Sequence, residues 1–199
     1  MNKEDAQMIV AQLQQAHRVS VGFYHRILPT LDTVSSQLGL DFWYWEPLDT
    51  HVGCKSKTLP STKSAWDFVP LFASGHVYCR VGRDTKTTPD DVGVMFWLCI
   101  EDSFLPENRL TRAHPDPIEM PQGKAVLRAY VYRPKEEYRK PFAVLWEEDA
   151  DDDLEPGVFD WLSVSEHFEG VAIEWPLADV INDSQSMVEI LKKYVGAAS

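Results

Sequence analysis

The chain has 199 residues, of which 44% are hydrophobic and 12% aromatic, so it can bury a core and global disorder is not expected. Its longest apolar run, residues 92–100, is far shorter than the roughly 20 residues that a membrane-spanning helix needs. The formal net charge of −12 argues against direct nucleic acid binding, because an acidic surface repels phosphates.

The N-terminus and the cysteines indicate the cellular compartment. The first residues lack the apolar stretch of a secretory signal. The three cysteines have no Cys-x-x-Cys spacing, which predicts neither a disulfide framework nor a structural zinc site. We therefore expect a cytoplasmic protein without membrane association, and no motif predicts a cofactor.

The first predicted element is a long helix. Apolar or weakly polar positions recur every three or four residues from Ala6 to Leu38. Pro29 interrupts backbone hydrogen bonding but not this stripe, and Gly39 is a typical helix terminator, so we expect one kinked helix or two helices that turn at Leu28. The stripe would be roughly 50 Å long, and its length raises the hypothesis that it forms a homodimer seam.

Seven strand-like segments follow the helix. The run at residues 92–100 is almost continuously apolar and predicts a central strand that is buried on both faces. In the fourth segment, Arg128, Tyr130 and Tyr132 alternate with apolar residues, which predicts one solvent-facing side. The segments are residues 42–46, 76–81, 92–100, 125–132, 142–146, 158–162 and 171–175.

Four consecutive aromatic residues occupy the first of these segments. Strand alternation would send Phe42 and Tyr44 to one side and Trp43 and Trp45 to the other. We expect one pair to enter the core and the other to cap a groove or an interface.

The chain closes with a predicted amphipathic helix over residues 184–195, capped by Asp183 or Ser184 and ended by Gly196. Together these elements predict a single α+β domain over residues 1–199. An antiparallel sheet of about five to seven strands would be packed by the long N-terminal helical segment and the short C-terminal helix.

The negative charge is confined to the last third of the sequence. Residues 1–140 contain 17 acidic and 17 basic side chains, whereas residues 141–199 contain 14 acidic and 2 basic ones. We call its densest part the acidic segment, which is predicted to be an exposed loop after a strand. Its acidic residues are Glu147, Glu148, Asp149, Asp151, Asp152, Asp153 and Glu155.

Three interpretations of the acidic segment remain open. It is a solvated sheet edge, an electrostatic footprint for a basic partner, or a cation site. The calcium-loop spacing is poor, because Leu154 stands where the sharp turn needs glycine and Asp160 replaces the usual glutamate. Basic residues just upstream are expected to pair with it in part: Arg133, Lys135, Arg139 and Lys140.

Weaker features suggest a metal-dependent hydrolase. Carboxylates precede and follow the central strand, and histidines lie in two predicted loops, but no second histidine stands at ligand spacing. This hypothesis requires at least three of the candidates to meet in one cleft. The candidates are Asp90, Asp91, Glu101, Asp102, His51 and His114, with Cys54 beside His51 as a further candidate nucleophile.

The leading hypothesis is a non-catalytic cytoplasmic protein that binds another macromolecule through its acidic C-terminal surface. An inhibitor or immunity-type partner of a basic protein has this character, because clustered like charge accelerates association with an oppositely charged surface. A metal-dependent hydrolase and a structural homodimer subunit are the alternatives.

Overall fold

Six antiparallel strands form one sheet in the order β1-β2-β3-β4-β6-β5. The computed structural model describes residues 2–48, 72–82, 85–105, 108, 120–150, 154–157 and 159–196. The α+β class, the antiparallel sheet and the strand number are confirmed. The strands are β1 (Asp41–Pro47), β2 (Ala73–Arg80), β3 (Val92–Cys99), β4 (Val126–Pro134), β5 (Leu162–Ser163) and β6 (Phe168–Pro176).

Helices cover both faces of the sheet. On one face, α1 (Lys3–Gln37), α3 (Leu177–Asn182) and α4 (Gln185–Val195) pack against alternate strand residues, and we call this the three-helix face. On the other, α2 (Phe142–Asp149) packs with Phe142, Leu145 and Trp146, and we call this the α2 face. Every residue of β3 is buried between the two, as its apolar run predicts.

The prediction that one side of β4 faces solvent is wrong. Tyr130 and Tyr132 are only 3% and 1% exposed, because α2 covers this side of the sheet. Arg128 is half-buried there and lies over the Trp97 ring, 4.5 Å from its centroid. The guanidinium also pairs with Glu174 on β6 at 2.7 Å, so the charge that β4 carries on this side is neutralised.

Two other predicted strands need correction. Residues 142–146 form the first part of α2, where Phe142, Leu145 and Trp146 have the i, i+3, i+4 spacing of a helical stripe. Pro141 is the N-cap and begins this short helix, and a five-residue window is too short to separate the two periods. Among the described residues of the segment 158–162, which exclude Val158, only Leu162 belongs to a strand, the two-residue β5.

A β-bulge in β1 changes the predicted alternation of its aromatic residues. Phe42 pairs with Tyr78, whereas Tyr44 pairs with Val77, so Trp43 is an extra residue in β1. Phe42 and Trp45 therefore share the three-helix face, while Trp43 and Tyr44 pack on the α2 face. The predicted pairs are wrong, but one pair does enter the core and the other does border a groove.

The N-terminal stripe forms one continuous helix through Pro29. An Asn2–Asp5 capping box begins α1, and Gly39, with φ of 67°, follows its end. Ile27 and Leu31 are fully buried within the chain, so this half of the stripe cannot form a dimer seam. No helix in the described ranges has the length and apolar character to cross a bilayer.

Residues 3–22 of α1, here called the arm, remain largely outside the core. The stretch from Ala6 to Ala16 has no charged side chain. A helix of this length gains little stability in water unless one of its sides packs against another surface. Since the second half of the stripe is already buried, the homodimer hypothesis now concerns the arm alone. Its large exposed apolar residues are Met8, Ile9, Val10, Leu13, Val19 and Val21.

The homodimer hypothesis predicts that the protein sediments as a dimer at high micromolar concentration. Leu13→Glu should give a monomer, because a carboxylate would be desolvated on the apolar stripe. Gln15→Glu is the matched control, since it adds the same charge on the opposite side of the helix and should leave the dimer intact. Sedimentation of the unmodified protein as a monomer would exclude the seam.

Candidate functional site

An open pocket of about 630 Å³ lies between the second half of α1 and the strands β1 and β2. This volume falls in the range of small-molecule sites, roughly 300–1,000 Å³. Most of its described wall is apolar or aromatic, with a few polar groups. The described lining residues are Tyr24, Leu28, Asp32, Phe42, Trp45, Ser74, His76 and Tyr78.

Three local features of the backbone bring these residues together. Tyr24, Leu28 and Asp32 are four residues apart and therefore line one side of α1. The pleat of β2 places Ser74, His76 and Tyr78 on the sheet face that points towards α1. The bulge at Trp43 sends both Phe42 and Trp45 to the same face, so the edge strand supplies two aromatic walls.

The polar groups of the pocket form two hydrogen-bonded pairs. The Tyr78 hydroxyl donates to Asp32 Oδ1 at 2.6 Å, and Ser74 Oγ lies 3.0 Å from His76 Nε2. The Trp45 ring stacks on the His76 imidazole, with 18° between the planes. These contacts hold both aromatic and polar groups in defined positions.

Burial determines the protonation states of the pocket. Burial and the adjacent Asp32 carboxylate raise the pKa of Tyr78 well above its usual range. Burial lowers the pKa of His76, and the negative charge of Asp32 only partly opposes that effect. His76 is therefore neutral near pH 7, and Asp32 provides the formal charge of the described lining.

The geometry suits binding better than nucleophilic catalysis. A serine nucleophile needs access to its substrate and a histidine that is oriented by a third group. Ser74 is only 1% exposed, and no carboxylate hydrogen-bonds to His76 within the described residues. Asp32 bonds to Tyr78 instead.

The acidic segment is not one continuous loop. Glu147, Glu148 and Asp149 belong to the end of α2, and Glu147 and Glu155 are exposed. Glu148 pairs with Lys140 at 2.7 Å, as the upstream basic residues predict. Asp149 pairs with His167, whereas Asp151, Asp152 and Asp153 lie outside the described residues.

The described carboxylates of the hydrolase hypothesis do not meet. Asp90 and Asp91 precede β3, whereas Glu101 and Asp102 follow it, and eight residues at about 3.3 Å each separate the two ends by roughly 26 Å. No group of three potential metal ligands occurs among the residues that the structure describes. His51, Cys54 and His114 lie outside them.

These carboxylates stabilise local backbone structure. Asp91 accepts hydrogen bonds from the Gly82 and Thr88 backbone amides, both at 2.7 Å. Glu101 accepts from the Gly123 amide at 2.7 Å, and its neighbour Asp102 accepts from the Lys124 amide at 2.6 Å.

Sequence analysis missed most of the pocket. It expected one alternating pair of the aromatic run 42–45 to cap a groove, and its helical stripe includes Tyr24, but it gave no role to Ser74, His76 or Tyr78. The available signal was the spacing of these three polar residues at i, i+2 and i+4 in β2. That spacing places them on one face of a strand.

The fold and the site define an α+β protein with helices on both faces of an antiparallel sheet and a ligand-sized aromatic pocket at its β1 edge. The sequence model of the PM0109 family matches residues 3–199, so the chain belongs to the PM0109 family. No curated protein and no solved structure matches the chain significantly.

The lowered pKa of His76 predicts a loss of stability in acid. The unfolded chain binds a proton near pH 6.5, whereas the folded chain resists protonation of this histidine until lower pH. The free energy of unfolding should therefore fall as the pH drops below about 6.5, by at most about 1.4 kcal/mol per pH unit from this group.

Urea unfolding at several pH values measures this effect. His76→Gln should remove the contribution of this histidine to the change of unfolding free energy with pH. His17→Gln, on the exposed arm, should leave that contribution in place. Identical slopes in the unmodified protein and His76→Gln would contradict the assignment.

Proposed function

We propose that this chain is a non-catalytic binding protein whose ligand occupies the aromatic pocket. The observation that carries this proposal is the convergence of four aromatic side chains and two hydrogen-bonded polar pairs on one cavity of about 630 Å³. A pocket with apolar walls and a few placed polar groups is the usual form of a ligand site.

The exposure of the pocket walls supports the same proposal. Phe42 and Trp45 are 54% and 55% exposed, and a ligand that covers them would gain roughly 25 cal/mol for each Å² of buried apolar surface. Trp45 is held by its stack on His76, and Phe42 contacts the Tyr78 ring edge to face. Walls that are already ordered lose little side-chain entropy on binding.

Nile red, an uncharged dye that fluoresces in apolar surroundings, tests the pocket. Its fluorescence should rise and saturate with the unmodified protein, and Leu28→Trp should weaken its binding at least about tenfold, or about 1.4 kcal/mol, by filling the space. Val144→Trp is the matched control, because Val144 is an exposed apolar residue of α2 that does not line the pocket. Equal binding by all three proteins, or no binding, would refute the proposal.

A second candidate is recognition of a basic macromolecule through the acidic C-terminal surface, as by an inhibitor or immunity-type protein. The charge distribution of the sequence favours it, and Glu147 and Glu155 make no ion pair among the described residues. Clustered carboxylates would accelerate the encounter more than they would strengthen the complex.

Charge removal tests this second candidate. Replacing Asp151, Asp152 and Asp153 with Asn should lower the association rate with a partner recovered by pull-down and reduce its salt dependence. The matched control removes three exposed charges from the neutral part of the chain, residues 1–140: Asp41→Asn, Asp90→Asn and Glu136→Gln. Rates that are equal at low and high salt would reject steering by the acidic segment.

We also propose a cytoplasmic location. Cys79 in β2 carries a free thiol. Free thiols persist most readily in a reducing compartment, which supports this proposal.

A further inference from the structure

We infer that the pocket selects an organic cation of the alkylated ammonium class over uncharged or anionic ligands of the same shape. This inference rests on the proposed function of the pocket and adds the chemical class of its ligand. It follows from the aromatic walls and from the charges of the described lining residues, which include one carboxylate and no basic counterpart.

The walls present several π systems to one space. Tyr24 comes from α1, Phe42 and Trp45 come from β1, and Tyr78 comes from β2, so rings from three elements line the pocket. Ring faces carry partial negative charge and attract cations within about 6 Å, with tryptophan the strongest of the three ring types. Alkylated ammonium groups suit such walls because their methyl groups also bury apolar surface.

Asp32 adds a formal negative charge to this aromatic site. Its Oδ1 accepts from the Tyr78 hydroxyl, and a carboxylate has acceptor sites to spare after one such bond. Among the described lining residues, the other titratable groups are two tyrosines and His76, whose imidazole is neutral near pH 7. An anion would therefore meet a carboxylate without a compensating cation.

The same chemistry disfavours a metal ion as the occupant. Calcium takes six to eight oxygen ligands, and magnesium needs six in a near-octahedral arrangement. The described pocket offers one carboxylate, and no cluster of three ligating side chains occurs in the described part of the chain. An ammonium with an apolar body needs fewer polar partners and fills more of the cavity.

Three small molecules of nearly the same shape separate charge from size. Choline carries a trimethylammonium group, dimethylbutanol is its uncharged carbon isostere, and dimethylbutyrate has the same branched end with a carboxylate. In displacement of Nile red, we expect the dissociation constant of choline to be about tenfold lower than that of dimethylbutanol. Dimethylbutyrate should bind most weakly. Isothermal titration with the same ligands provides a dye-free measurement.

Two substitutions locate the preference in the pocket. Asp32→Asn removes the charge but keeps an oxygen that accepts from Tyr78, so choline affinity should fall towards that of dimethylbutanol while the alcohol binds as before. Trp45→Leu should reduce the ratio between the two ligands by removing a ring face. Asp41→Asn is the control, because Asp41 is an exposed β1 carboxylate that does not line the pocket.

The outcomes distinguish the two levels of the proposal. Nile red binding that depends on Leu28, without any preference for choline, would overturn the cation class and leave the ligand-binding function standing. Failure of Nile red and of all three small molecules to bind would overturn both. A choline preference that survives both Asp32→Asn and Trp45→Leu would also overturn the inference, because these pocket residues would not be its source.

Discussion

The bulge at Trp43 is the constraint on which both sides of the sheet depend. It sends Trp43 and Tyr44 to the α2 face, where the Trp146 indole donates to the Tyr44 hydroxyl at 2.9 Å. It leaves Phe42 and Trp45 on the three-helix face as pocket walls. Regular alternation would split each of these pairs between the two faces. The insertion of one residue thus adds two aromatic side chains to the core of the α2 face and two to the walls of the pocket.

The α2 face depends on a second close contact. Trp146 packs directly over β3 at Gly93, where any side chain would collide, since a Cβ there would lie 2.2 Å from the indole ring. Tyr132 meets the same indole edge to face at 5.3 Å. This packing explains why the tyrosines on the α2 face are buried. It also supports β1 on the α2 face, while the pocket forms on the three-helix face of the same strand.

The sequence was most informative where one period extends over many residues. The helical stripe ending at Leu38 and the apolar run of β3 each persist long enough to fix an element and its burial. The sequence was least informative where a single residue changes the outcome. The bulge at Trp43 shifts alternation without altering composition, and α2 contains too few residues for its period to emerge. The Asp32–Tyr78 contact joins residues 46 positions apart, which no local pattern can reveal.

Continuity through Pro29 makes α1 a rod about 52 Å long, from 35 residues at about 1.5 Å each. One end of this rod is the arm, and the other provides Tyr24, Leu28 and Asp32 to the pocket. Arg26, which lies between Tyr24 and Leu28 in α1, anchors the rod by donating to the Ile181 carbonyl at 3.0 Å. Rotation of the exposed end about that anchor would change the spacing of the pocket walls. A partner that rotates the exposed end when it binds the arm would therefore change the pocket as well, and such a linkage would act with equal free energy in both directions.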